Sequence, residues 1–296
     1  MADSRIIDNE LVNALCPERD EKGHKGTFGT VLICSGSRFM TGAQTLATES
    51  ALRSGAGMVR VFAPEESMVS TRVNCPCAMF AAYKDSPEET VRYADELLKN
   101  SSSVLIGPGL DTGDKRNLHL LRFLIERADK LVIDASALGI LSQNKAMLFP
   151  LLKKRAEKGL SRAVLTPHIG EFRRLAGEAD IDSCISFSQE MNTVTVLKSA
   201  STFISISGKE GYTIDSPNSG MGKGGSGDVL AGLTAGLLAQ GMSPEDAAVS
   251  AVYIHSLAGK NAAVDLGKRS MLPSDLPSYF TDAFEEIGWD RTGDEI

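Results

Sequence analysis

Short apolar runs alternate with longer segments of helical spacing along most of this chain. "TVLICSG" (30–36) reads as a buried strand, "GAQTLATESALRSGAG" (42–57) as an Ala-rich helix, and "MVRVFAP" (58–64) as the next strand. "SPEETVRYADELLKN" (86–100) carries a Ser cap, a Pro in its first turn and an amphipathic pattern, the marks of a helix start. "SSVLIGPGL" (102–110) is a strand running into a glycine turn, and "NLHLLRFLIERA" is a helix. "KLVIDASAL" (130–138) is a further strand, and "SRAVLTPHIGEF" (161–172) repeats the strand-to-loop pattern. "VTVLKSA" (194–200), "TFISIS" (202–207) and "GYTID" (211–215) are closely spaced strands with at least one hairpin. From Ser226 onward the pattern is helical, over 226–240, 244–265 and about 274–286.

Strand–helix alternation predicts an α/β fold: a mostly parallel sheet with helices on both faces. No repeat or Pro/Ser-rich linker divides residues 1–296, so a single domain is expected. In such sheets ligands gather beyond the carboxyl ends of the strands. Five unusual loops fall at positions of that type: "GSRFMTGA", "GPGLDTG", "DASAL", "TPHIGEF" and "NSGMGKGGSGD". Gathered on one rim, they would make a site.

Composition narrows the partners. With 296 residues, 42% hydrophobic and 23% charged, the chain can bury a substantial core. A net charge of −7 argues against a nucleic-acid binder, though an anion site built from backbone amides remains open. No signal-peptide pattern opens the chain and no apolar run is long enough to span a membrane. The five cysteines lack a disulfide framework, so a reducing cytoplasm is the expected compartment. "CPC" at 75–77 resembles half of a metal site without a second half, and buried or incidental thiols are expected there.

The stretch "GMGKGGSGDV" (220–229) poses the chemical question. Glycine is poor at packing, so a run of it before a helix has a backbone purpose. The amides of Gly225, Ser226 and Gly227 can face an anion at the helix N-terminus, reinforced by the dipole. The run is neither a Walker A loop nor a good dinucleotide fingerprint. Asp228 is suited to take a proton from a hydroxyl beside that cradle, or it is simply a first-turn acid.

Other residues keep two readings. Lys223 either approaches a phosphate or is solvated, and His168 either contacts a ligand or caps the helix after it. Glu171 reads as that helix's first-turn acid, and "GPGL" either approaches a ligand or merely turns the chain. Lys198 either meets a phosphate or guards an edge strand. Asp111 and Asp134 could help to hold Mg²⁺ around a phosphate. His119, His255, Arg53 and Arg60 are read as structural.

"KGTFGTVLICSGSRFMTGAQTLATESALRSGAGMV", "IGPGL", "LTPHIGEF" and "NSGMGKGGSGDVLAG", in that order, resemble the NAD(P)H-hydrate dehydratases of the ribokinase-like superfamily. The likeness covers about residues 8–285. It implies a three-layer α/β/α fold and a repair reaction on the S-form of NADH or NADPH hydrate. There a nucleotide phosphorylates the ring hydroxyl, and phosphate then leaves. It also implies Mg²⁺ and ADP, or ATP, as phosphoryl donor, with the uninterrupted "GKGGSGDVLAG" more like the ADP-using branch. Carried over residue by residue, Ala43, Gly109, His168 and Asp228 match hydrate-contacting positions, with Asp228 the base. Lys198, Ser199, Ala200, Ser201, Thr202 and Gly227 match nucleotide-binding ones, joined by Gly225 and Ser226 of the cradle.

Three positions depart from the family's bacterial pattern. "KSAST" replaces K-G-x-x-T, so Ser199 would have to adopt a backbone geometry usually given to glycine. "DAS" replaces D-A-D, losing a carboxylate at Ser136, and "NSG" replaces N-P-G. Many relatives carry an N-terminal epimerase domain. The first strand here lies too near the start for one, so a separate epimerase is the expected partner, and a homo-oligomer is expected. A vitamin-precursor kinase sharing G-x-G-D and a non-catalytic nucleotide sensor are the alternatives.

Overall fold

A computed structural model describes residues 4–290. Its strands are β1 (Ser4–Ile6), β2 (Thr30–Cys34), β3 (Met58–Ala63), β4 (Met79–Ala82), β5 (Ser103–Ile106), β6 (Leu131–Ile133), β7 (Val164–Leu165), β8 (Val194–Leu197), β9 (Ser201–Ile206) and β10 (Gly211–Asp215). They form one sheet in the order β1-β10-β9-β8-β7-β6-β5-β2-β3-β4. Only β9 runs against its neighbours, so the predicted hairpin is present and β10 points the same way as β8.

Successive strand residues feed opposite layers. In β2, Val31 and Ile33 join one core while Leu32 and Cys34 join the other. The first core is closed by α1 (Asn9–Asn13), α2 (Thr41–Arg53), α10 (Ser226–Ala239), α11 (Pro244–Leu266) and α12 (Phe280–Ile287). The second is closed by α4 (Pro87–Leu98), α5 (Lys115–Arg127), α6 (Ala135–Gln143), α7 (Lys145–Lys153), α8 (Ile169–Ala176) and α9 (Ile181–Met191). A short α3 (Val69–Asn74) leans on α2. This is the three-layer α/β/α arrangement expected.

Several boundaries differ from the sequence reading. The expected strand at 130–138 stops at Ile133, and α6 starts at Ala135, so "DASAL" is a helix start and not an open loop. The strand expected at 194–200 ends at Leu197. The last helix begins later than expected: a 3₁₀ turn spans Leu276–Tyr279, with Pro277 near its start, and α12 follows from Phe280. β1 and β4 were not foreseen, because three and four residues at the sheet's two edges leave too short a pattern.

Helix α10 is apolar nearly all round because it is covered on every side, by the sheet, α2 and α11. Gly225 meets Leu46, Gly232 lies against the Ala47 backbone, and Gly236 meets Ala51 and Ser54. Contacts that advance in step show the two helices running in the same direction, so both begin on the same rim. Ser50 Oγ and Ser103 Oγ donate to the carbonyls of Val229 (2.6 Å) and Ala235 (2.7 Å), tying α10 to α2 and β5. A Cβ at Gly232 would strike backbone, which cannot rotate away. Gly232→Ala is therefore expected to destabilise the fold by about 1–3 kcal/mol. A lowered urea midpoint at unchanged slope would show it, and an unchanged midpoint would mean that the helices part freely.

Candidate active site

The residues that directly follow three adjacent parallel strands converge. Asp134 follows β6, Thr166 follows β7 and Lys198 follows β8. Asp134 is 1% exposed, and its Oδ1 accepts from Thr166 Oγ1 at 2.7 Å and from Lys198 Nζ at 2.9 Å. A carboxylate so buried is costly unless paired in this way. A cavity of about 940 Å³ opens here and runs along the glycine run to α10 and α11.

Beside the Lys198 ammonium stands the N-terminus of α10. Its cap, Gly225, has φ +113°, a conformation glycine adopts without strain, and no side chain of the described residues caps this end. The first turn lines the cavity without a side-chain acceptor for its amides, and Ser226 N–H makes only a long contact to the Lys223 carbonyl (3.4 Å), an arrangement suited to an anion. Ser226 Oγ, buried and unpartnered, lines the same wall. Asp228 is two residues further along. Burial, then the Asp134 carboxylate, push its carboxyl up to about 7; Lys198 pulls the other way and Glu171 adds to the rise.

His168 and Glu171 form a reciprocal cap at the start of α8. Gly170 N–H and Glu171 N–H donate to His168 Nδ1, at 2.9 and 3.3 Å, and His168 N–H donates to Glu171 Oε2 at 3.0 Å. His168 therefore serves as a cap and also lines the cavity, with its side chain 57% exposed. Glu171 is more than a first-turn acid. It lines the cavity, and burial raises its pKa against the pull of Lys198.

Of the other expected residues, Lys198, Ser199, Ala200, Thr202, Gly225, Ser226, Gly227 and Asp228 line the cavity. Ser201 does not; its Oγ donates to Asp215 at 2.6 Å. Ser199 needs no glycine geometry, since it is not among the positive-φ residues and its Oγ donates to the Ser201 carbonyl at 2.6 Å. Ala43 and Gly109 lie beside the cavity rather than in its wall. Gly109, at φ +67°, packs against Met40 and against Ala43. The two loops are joined by Gly36 N–H donating to Pro108 O at 2.8 Å, and Gly107 lies against the Asp134 carbonyl, so this part of the rim is continuous with the site.

Four expectations change. Lys198 is not an edge-strand guard, because β8 lies inside the sheet and the ammonium is paired. Lys223 is neither solvated nor free, since it donates to the carbonyls of Arg269 (2.8 Å) and Met271. Asp134 is committed to Lys198 and Thr166, and Asp111 lies outside the cavity wall with Gly113 N–H as its partner (2.8 Å), so neither stands ready for Mg²⁺. His255 is not merely structural. It lines the cavity with a buried, unpartnered Nε2, and burial lowers its pKa to about 4, which keeps the ring neutral near pH 7. Its sequence signal was the spacing of Val252, His255 and Ser256, which puts all three on one face of α11.

Beside Ser136 the chain is strained: Ala135 lines the cavity at φ +47°. In place of the proline of N-P-G, Asn218 braces the glycine run by donating to Gly259 O (2.8 Å) and accepting from Gly220 N–H (3.0 Å). Cys75 is buried and Cys77 exposed, and no metal-holding group of three or more His, Cys, Asp or Glu exists among the described residues.

Residues 31–282 match the family model described as NAD(P)H-hydrate dehydratase. The chain belongs to the NAD(P)H-hydrate dehydratase family. Within that family, it is 33% identical to the ADP-dependent (S)-NAD(P)H-hydrate dehydratase of Nitrosopumilus maritimus, over 94% of this chain and 96% of that one. It is 35% identical to the bifunctional NAD(P)H-hydrate repair enzyme of Moorella thermoacetica over 93% of its own length, but spans only 53% of that relative. The crystal structure of the ADP/ATP-dependent NAD(P)H-hydrate dehydratase of Bacillus subtilis, co-crystallised with ATP/Mg²⁺, superposes with a TM-score of 0.79. The two are 26% identical, and the match covers 96% of this chain and 99% of that one. The fold is the ribokinase-like one expected of the family.

The raised Asp228 carboxyl makes a prediction about stability. Unfolded, an aspartate releases its proton near about pH 4; folded, Asp228 holds it to about 7. Ionising it therefore costs the folded state stability as pH rises through that window. Asp228→Asn should raise the melting temperature at pH 8, with the gain fading toward pH 4. Equal melting temperatures at both pH values would contradict the burial argument.

Proposed function

We propose that the protein returns the S-form of NADH or NADPH hydrate to the reduced dinucleotide at the expense of a nucleotide's terminal phosphoryl group. The observation that carries the reading is the Asp228 carboxyl in the cavity wall on the same turn as the amides of α10 that no side chain caps, and burial raises that carboxyl toward neutrality. A base and an electrostatic cradle within one helical turn suit phosphoryl transfer to a hydroxyl.

Asp228 takes the hydroxyl proton as the oxygen attacks the terminal phosphorus. The amides of the first turn of α10 and the Lys198 ammonium meet the charge that develops on the phosphoryl oxygens. The C–O bond of the phosphorylated ring then breaks and phosphate departs with the electron pair, while the neighbouring ring carbon gives up a proton to solvent and its C–H electrons form the returning double bond. From ADP the products are AMP, phosphate and NADH or NADPH. ADP is the proposed donor, in keeping with the relatives named for it, and ATP is the alternative.

Mg²⁺ would neutralise phosphate charge, and it usually needs only one or two carboxylates besides phosphate oxygens and water. The cavity suits that role: Glu171 is the carboxylate there that neither bonds a lysine nor serves as base, and it would hold the ion, directly or through water. The polar loop residues Ser199 and Thr202, with Ile214, Pro217, Met221 and Val252 beyond, would receive the nucleotide. The loops of Ala43 and Gly109 would face the hydrate.

An NAD(P)H-hydrate epimerase would supply the S-form, in keeping with the bifunctional repair enzymes to which the chain is similar. No helix among the described residues is long and apolar enough to cross a membrane, and the nucleotide substrates point to the cytoplasm. The exposed Phe39 and Val73 would be covered in a homo-oligomer.

The deciding experiment follows absorbance of the reduced nicotinamide after protein, Mg²⁺ and NADH hydrate are mixed with ADP or with ATP. Recovery with one donor, lost in Asp228→Asn, is expected and names the donor; binding without recovery would reject the reading. Because the base must be ionised, kcat/KM should rise with pH and level off above about 7. A profile flat from pH 5 to 8 would exclude Asp228 as the base.

A further inference from the structure

The glycines of the run are glycines for different reasons. Gly225 needs its positive φ, and a side chain there would also strike Leu46. A side chain at Gly220 would strike Met271, whereas one at Gly224 would meet nothing within 4 Å. Gly227 differs from all of these. Its φ is not in the left-handed region, so backbone conformation does not call for glycine. An added Cβ would meet a single residue within 4 Å, Lys198, with Nζ at 2.9 Å and Cε at 3.9 Å. The space that a side chain would take is where the ammonium lies.

That ammonium is held from the other side by Asp134, which is itself fixed by Thr166. The sheet's register brings them together: Asp134 and Thr166 stand level just past β6 and β7, and Lys198 extends β8 two residues beyond that level, opposite His168. Lysine carries a compact charge on a flexible stem, and alone it would have many resting places. Here the Lys198 side chain is only 20% exposed and is confined between a buried carboxylate and the first turn of α10.

We propose that Asp134, steadied by Thr166, is a positioning residue that holds the Lys198 ammonium over Gly227, and that position 227 is glycine to leave room for this cation. It rests on the phosphoryl-transfer reading above. The ammonium then stands beside the helix amides before any substrate arrives, and little reorganisation is needed when charge grows on the phosphoryl group.

The test is a double-mutant cycle of Gly227→Ala and Lys198→Met, with Asp134→Asn alongside. Its readouts are kcat and KM for ADP with NADH hydrate, ADP affinity by calorimetry, and melting temperature to confirm folding. Gly227→Ala should lower kcat about 10-fold or more in the wild-type background, yet less than about 2-fold further in the Lys198→Met background. Asp134→Asn should lower kcat by about 10-fold while moving KM for ADP far less. An equal cost of Gly227→Ala in both backgrounds would overturn the proposal, because the glycine would then serve the approach of phosphate itself. So would a folded Asp134→Asn protein with unchanged kcat. If the wild-type protein binds ADP but restores no reduced nicotinamide, the dehydratase reading fails. The same cycle measured on ADP affinity then decides this proposal, with non-additivity supporting it and additivity overturning it.

Discussion

The close approach of α10 to α2 is the constraint on which the site depends. Helix separation is set by the side chains between the axes, and here two glycines and a row of alanines and serines bring them together. Larger residues would push α10 off the sheet and carry its first turn away from Lys198 and Asp134. Ser50 and Ser103 add direct bonds to α10 carbonyls. The cradle's position is thus decided by packing well below it, in residues that never meet a ligand.

The second determinant is the balance of charge at the strand ends. Three carboxyl groups, Asp134, Glu171 and Asp228, share one nearby ammonium, and it bonds to Asp134. The pair leaves Asp228 half-buried with no cation of its own. Desolvation and like charge dominate its surroundings, which is how an ordinary acid becomes a base useful near neutrality. The fold bears the cost, as active sites commonly do.

Much of this was legible in the sequence, and the reasons for the rest are physical. The buried strands and α10 announce themselves because continuous apolar runs have few other uses. Asp228 stood out because a glycine run directly before a helix limits what the acid after it can do. Lys198 was ambiguous because strand order, which separates an interior strand from an edge, is absent from local pattern. His255 looked like a helix-face residue among apolar neighbours; only tertiary packing turns that face toward the cavity. Ser199 raised a doubt that its actual backbone removes, since a motif glycine shows what is permitted and not what is required.

The single reversed strand has a further meaning. Because β9 runs backward, β8 and β10 both discharge at the site, while the turn linking β9 to β10 is carried to the opposite rim. That turn, Ser207 to Glu210, is exposed along Gly208, Lys209 and Glu210 and bears none of the cavity wall. It gives the architecture a natural handle: a reporter peptide or an immobilising tag spliced there would be held a full strand length from the chemistry.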